Sequence, residues 1–191
     1  MMKNPIYKAK TLAVINFLIL TSFNSHAQEE NPNQFTIGLQ IQQVQTDLGF
    51  GVHLLSPKFL GNFRVKSSYN MNFFTHLNTI GESTWTPYSN IYFGTRYQFA
   101  IIKNINTYVE AGSQMLINPS SLTSERINAG GYGLVGVEYF ISESAKRHIS
   151  FFMELGGAVN NSKADKIITK PRIANGFTLA VGFQFNINLK K

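Results

Sequence analysis

A base, a hydroxyl and a carboxylate stand near one another at His148-Ile149-Ser150 and Glu154. These are the residue types from which a hydrolase assembles a general base, a nucleophile and an orienting acid. His53 and His76 have no Ser or carboxylate neighbour at a useful spacing, and no pair of His or carboxylate residues has metal-ligand spacing. The absence of cysteine removes thiolate nucleophiles, thiolate metal sites and disulfides, so neither a metal nor a cofactor is expected. Two further sets of charges have chemical potential. Arg64, Lys66, Arg96, Glu110, Glu138 and Glu154 lie in strand-like segments on the side opposite the apolar residues, where they either pair with one another or line an ion path. Lys163, Lys166, Lys170 and Arg172 crowd against a single Asp165 between Asn160 and Ala174, a composition that suits either an anion-binding loop or a solvated connector.

The elements that must position these residues are strands. From Phe177 to Leu189 the chain alternates without a break: Phe177, Leu179, Val181, Phe183, Phe185, Ile187 and Leu189 share one face, and Thr178, Ala180, Gly182, Gln184, Asn186 and Asn188 the other. Globular strands run about 5 to 6 residues, whereas a tilted strand crossing a bilayer needs about 9 to 11. The segment therefore predicts a membrane-spanning strand. Similar alternation occurs over 35–42, 48–54, 63–73, 90–99, 107–115, 135–139 and 149–155, weakly in the fifth of these and only in the second half of the sixth strand. Eight strands predict an all-β fold, an eight-stranded antiparallel up-and-down transmembrane β-barrel over residues 35–191.

The N-terminal region reads as a secretory signal peptide over residues 1–27. Lys3, Lys8 and Lys10 precede the apolar run Leu12 to Leu20, too short for a spanning helix, and Ser25-His26-Ala27 supplies the small residues of a cleavage site. A retained inner-membrane anchor is the competing reading. Residues 28–34 form a polar lead-in. Loss of the signal leaves fourteen basic and ten acidic residues, a net charge of +4 rather than the formal +7, and no dense basic stretch carries a nucleic-acid motif. With the N- and C-termini in the periplasm, the inner turns are 56–62, 102–104 and 142–148. The outer connections are a short turn near Asp47 and then 76–87, 118–126 and 160–174, three of the four longer than any inner turn.

Composition assigns the two faces. The apolar face of all eight segments lacks Lys, Arg, Asp and Glu, as lipid contact requires, since one Arg or Lys at the midplane costs about 2 to 4 kcal/mol. The opposite face is Gly, Ser, Asn, Gln and Thr with few charges, poor for a water-exposed surface but suited to a narrow lumen that Tyr92, Tyr108, Tyr132, Leu134, Phe140 and Phe152 would fill. A secreted lipocalin-like barrel with the apolar face inward is the alternative. Phe35, Phe63, Tyr97, Phe99, Tyr139, Phe151 and Phe185 fall near inner strand ends, and Tyr69, Phe73, Trp85 and Phe177 near outer ends, as two interfacial belts would. A three-residue turn at 102–104 would set Arg96 opposite Glu110.

The strand count, the Ser-His-Ala signal ending followed by Gln28 and the Phe183-Gln184-Phe185 near the C-terminus resemble the small eight-stranded outer-membrane barrels of the OmpA and OmpX kind, and more loosely the outer-membrane barrel domains of Bacteroidota. The resemblance implies a fold and a Gram-negative outer membrane, with no site. His148-Ile149-Ser150 is similar in part to the His-x-Ser of lipid A deacylases, although Phe151 stands where those enzymes have Asn and the orientation above puts His148 on the periplasmic side. The expected function is therefore non-enzymatic: a structural or accessory barrel with a side-chain-filled lumen. It would act through its outer loops or by lateral contact with a larger outer-membrane complex, with membrane lipid and lipopolysaccharide as neighbours and no nucleic acid. A lipid A-modifying deacylase or acyltransferase and a small pore are the alternatives.

Overall fold

Strands that are apolar on one side and polar on the other can satisfy every backbone group in a membrane only if the sheet closes on itself. The computed structural model describes residues 33–77, 81–102, 104–141, 149–167 and 169–188; the expected signal peptide and most of the lead-in lie outside them. Eight strands follow in order: β1 Gln34–Val44, β2 Asp47–Leu55, β3 Phe63–Leu77, β4 Ser83–Ile102, β5 Ile105–Ile117, β6 Ile127–Phe140, β7 Ile149–Asn160 and β8 Gly176–Asn188. Each is antiparallel to its sequence neighbour, and β1 closes the barrel against β8, with Thr36 opposite Asn186 and Gln42 opposite Ala180. This is the expected up-and-down barrel.

The faces follow the alternation. Ile41, Phe50, Phe93, Val135 and Phe177 point outward and are more than half exposed, whereas Thr36, Asn70, Asn90, Glu110 and Gln184 point inward and are buried. Among the described strands no ionisable Lys, Arg, Asp or Glu occupies the outward face. Outward aromatic contacts occur towards both ends of the strands: Phe63 with Tyr97 at 4.8 Å towards the end carrying the termini, and Phe73 with Trp85 at 6.3 Å towards the opposite, loop-bearing end.

Three expectations need correction. The connection expected over 76–87 is mostly strand: β3 continues to Leu77 and β4 begins at Ser83, with His76 Nε2 at 2.9 Å from Thr86 Oγ1 and the pair Thr75 and Trp85 in register. Thr-Trp-Thr at 84–86 is strongly strand-forming, and Pro87 sits on a stretch of β4 that pairs with β3 but lies beyond the end of β5, so that one edge is free there. As a result two, rather than three, loop-end connections outlast every turn at the other end, and Tyr69 lies mid-strand instead of near a strand end. The first half of β6, obscured by Gly130, Gly131 and Gly133, is a full strand because β5 and β7 hydrogen-bond it on both edges. Arg96 does pair with Glu110, but by another route: Ile102 pairs with Ile105, and a bulge between Gln98 and Ala100 absorbs one residue.

Candidate functional site: a filled lumen and a capped mouth

The lumen is built from alternate residues of every strand, and its centre is ionic. Lys66 on β3, Arg96 on β4, Glu110 on β5 and Glu154 on β7 form a closed square in which each cation touches both carboxylates. Lys66 Nζ lies 2.8 Å from Glu154 Oε1 and 3.1 Å from Glu110 Oε2, and Arg96 Nη2 lies 2.7 Å from Glu154 Oε1 and 3.2 Å from Glu110 Oε2. All four are buried, and the square carries no net charge. Two tyrosines supply further donors to the carboxylates, Tyr108 Oη to Glu154 Oε1 at 2.9 Å and Tyr132 Oη to Glu110 Oε1 at 3.0 Å. The Arg96 guanidinium also stacks 3.8 Å over the Tyr108 ring.

Small residues make this filling possible. A Cβ on Gly136 would strike the Tyr108 ring, and one on Gly38 would strike His53, so both positions must be glycine for the opposing ring to cross the bore. His53 is fully buried between two amides: its Nδ1 lies 3.0 Å from Gln40 Oε1 and its Nε2 3.1 Å from Gln184 Nε2. Donation from Gln184 to Nε2 assigns the proton to Nδ1, which donates to Gln40, so the neutral ring satisfies both partners. Towards the loop end Tyr92 accepts from Gln42 and Asn90 and packs edge-on against Tyr132 with centroids 4.6 Å apart.

Above that layer the mouth is covered. Val44, Phe74, Tyr88 and Leu116 from the barrel wall pack with Leu122, Ala164, Ile173 and Ala174 from two loops. The β7–β8 loop therefore lies on the mouth. Asn160 Nδ2 donates to Ala174 O at 2.7 Å, Asn118 Nδ2 to Ser162 Oγ at 2.8 Å, and Lys166 N to Leu122 O at 3.1 Å. Ser124 holds Asp165 through its backbone N–H at 2.9 Å and through its hydroxyl, and these hydrogen bonds keep the Asp165 carboxyl below its ordinary pKa.

The expected site residues separate into groups. Lys66, Arg96, Glu110 and Glu154 come together, while Arg64 binds Ser56 O, Gln34 O and Thr36 Oγ1 near the termini. Glu138 accepts from Ser150 Oγ at 2.5 Å. Ser150 and Glu154 are not assembled as nucleophile and acid: they lie four positions apart on one strand, about 13 Å when extended, and Glu154 is engaged by the square. Ser150 is also fully buried, out of reach of a lipid, and His148 lies outside the described residues. Lys163, Lys166, Lys170 and Arg172 all project from the β7–β8 loop as exposed residues. Sequence reasoning put His53 on the polar face but gave it no role in the lumen, and it missed the cap formed by Leu122, Ala164, Ile173 and Ala174. Glycines facing large rings across neighbouring strands were the available signal for the first, and short apolar runs inside polar loops for the second.

A closed antiparallel barrel of eight strands, apolar outside and filled inside, defines the class of small outer-membrane barrels, and solved structures of that class share this fold. The N-terminal β-barrel domain of Pseudomonas aeruginosa OprF aligns with a TM-score of 0.54 and 15% identity over 81% of this chain and 98% of its own. The outer membrane protein OprG from Pseudomonas aeruginosa aligns with a TM-score of 0.53 and 10% identity over 82% of this chain and 97% of its own. A de novo designed transmembrane β-barrel aligns with a TM-score of 0.54 and 10% identity, covering 84% of this chain and 100% of the design. That a designed chain aligns as well as natural ones shows that the likeness concerns architecture alone. It bears on the barrel class and not on the Bacteroidota likeness. No protein-family model matches the sequence, and no curated protein matches it.

Proposed function

We propose that the protein is a non-enzymatic barrel of a Gram-negative outer membrane, exported by the signal peptide 1–27, with both termini in the periplasm. It would serve as a structural or accessory component that acts through its capped outer loops or by lateral contact with a larger outer-membrane complex. The observation that carries this reading is the filled bore: an ionic square spanning four strands, closed over by an apolar cap, leaves a membrane-facing wall and a loop surface as the parts able to meet other molecules. The engagement of Ser150 with Glu138, together with its burial, argues against the lipid A hydrolase, and the tyrosines and the cap argue against a steady pore.

The test is fractionation followed by gentle extraction. Outer-membrane recovery, a gel mobility that changes on boiling, and co-purification of a defined membrane partner or of lipopolysaccharide are expected. Lipid A acylation should be unchanged in the Ser150→Ala variant and in the deletion strain. Recovery mainly from the soluble periplasm, or altered acylation in Ser150→Ala, would overturn the reading.

A further inference from the structure

The exposed cations of the β7–β8 loop are not equivalent. Lys163 and Arg172 are Cα partners in an isolated antiparallel bridge. The bonds flanking them, Ala164 N to Pro171 O at 2.8 Å and Ile173 N to Ser162 O at 3.2 Å, make them a non-hydrogen-bonded pair, the arrangement in which opposing Cα atoms approach to about 4.5 Å and side chains are nearest. Ser162, Ala164 and Ile173, the alternate residues, are fully buried beneath the bridge, so the two cations stand together on its exposed side. Among the described residues neither makes an ion pair or side-chain hydrogen bond. Like charges directly opposite each other destabilise a strand pair, and here the buried underside keeps both on the same exposed face. Lys166 is different, because its Nζ donates to Ser120 O at 2.6 Å and ties the two loops together.

We infer that Lys163 and Arg172 form a two-cation clamp for a phosphate group of lipid A in the surrounding leaflet, with Lys166 as a structural tie. The inference deepens the proposed function and rests on its placement of this loop at the outer surface. A phosphomonoester brings at least two anionic oxygens to two adjacent donors, a planar guanidinium fork and an ammonium, and neutralises the repulsion that the fold imposes on them. The loop rises directly from β7 and β8, whose outward Val159 and Phe177 are exposed, and Lys163 follows the end of β7 by three residues, so the long side chains of the pair start within about 10 Å of the apolar band, within reach of headgroup phosphates.

The experiment titrates the purified, folded barrel in an uncharged detergent with mixed micelles of bisphosphorylated lipid A, of the same lipid A after dephosphorylation, and with inorganic tripolyphosphate. Wild type should bind phosphorylated lipid A at least about tenfold more tightly than the dephosphorylated form, and the K163Q/R172Q double variant should lose that margin. K166Q and K170Q should stay within about threefold of wild type, because neither removes a clamp donor. Without lipid, K163Q should make the loop more resistant to thermolysin, which cuts before aliphatic residues such as Ile167, since it relieves the repulsion. Equal losses from all four cations, equal binding of dephosphorylated lipid A, tripolyphosphate binding as tight as that of lipid A, or a less resistant K163Q loop would each overturn the clamp. Labelling of a T169C variant in whole cells with a membrane-impermeant thiol reagent tests the placement separately. Absence of labelling with micelle binding intact would reject the proposed orientation and the lipid A assignment in the cell, while leaving the phosphate chemistry of the pair in place.

Discussion

Lys66, Arg96, Glu110 and Glu154 show how a charge is tolerated at the centre of a closed barrel. Each is bonded to two opposite charges, and the carboxylates take tyrosine hydroxyls as well, so the desolvation of four ions is largely offset, although Arg96 Nη1 stays buried without a hydrogen-bond partner. Removing one member is far more damaging than removing them all. Glu154→Ala or Arg96→Ala leaves uncompensated buried charge and should lower barrel stability by about 3 to 5 kcal/mol, read as a shift in the urea midpoint of the heat-modifiable band. Replacing Lys66 and Arg96 by Met and Glu110 and Glu154 by Leu, with Tyr108→Phe and Tyr132→Phe to remove the orphaned hydroxyls, should recover most of that loss. A combined variant no more stable than Glu154→Ala would mean that the square contributes something beyond mutual compensation.

At the scale of elements, the β7–β8 loop behaves as part of the barrel rather than as a tether. Its apolar underside shares the cap with Val44, Phe74, Tyr88 and Leu116, and Asp165 fixes it to the neighbouring loop through Ser124. Hydrogen bonds from Ser124 lower the folded-state pKa of Asp165, so this link is fully present above the unfolded value of about 3.9 and is lost as pH falls through the lower folded value. Hydrogen-exchange protection of the loop amides, corrected for the intrinsic pH dependence of exchange, should accordingly fall in the acid range, and Ser124→Ala should move that fall to higher pH; an unmoved profile would remove Asp165 as the cause. Ile173→Ala deletes a fully buried cap side chain and should cost about 2 to 5 kcal/mol of loop docking. Trypsin, which cuts after the loop's own Lys and Arg residues, should then nick this loop while the barrel core stays intact.

The whole molecule presents two independent obstructions in series, the square within the bore and the cap over its mouth. Deleting residues 163–173 removes cap contacts but leaves the square, so planar-bilayer recordings should remain at the detergent baseline for the wild type and for the loop deletion. Combining the deletion with Lys66→Ala and Glu154→Ala should yield transient conductance, if the variant folds as judged by its gel mobility. A steady single-channel step in the wild type would favour the pore. The outer wall carries its own constraint: Val135→Arg, outward on β6, should destabilise the folded barrel by about 2 to 4 kcal/mol if the residue lies near the midplane.

Period-two alternation determined most of the architecture from the sequence, because in a barrel each residue answers to one of two solvents and its type reports which. The eight strands, the faces of Arg64 to Glu154 and the inward tyrosines were legible for that reason. Strand ends were less so. The extension of β3 and β4 past His76 and Pro87 depends on pairing between the two strands, and the glycine-rich start of β6 is held by its neighbours rather than by its own residues. The bulge at the end of β4 shows the same limit, since Arg96 meets Glu110 through a register shift that no local pattern announces. Closure of the barrel alone decided that Glu154, distant in sequence from Lys66 and Arg96, completes their square. The folding of the loops over the mouth likewise decided that the cations of the β7–β8 loop stand in unequal roles, since Lys166 reaches Ser120 on the neighbouring loop. Those outcomes depend on which strands lie across the bore and which loop covers it, and contacts between residues far apart in the chain, made only when the sheet closes, fix both.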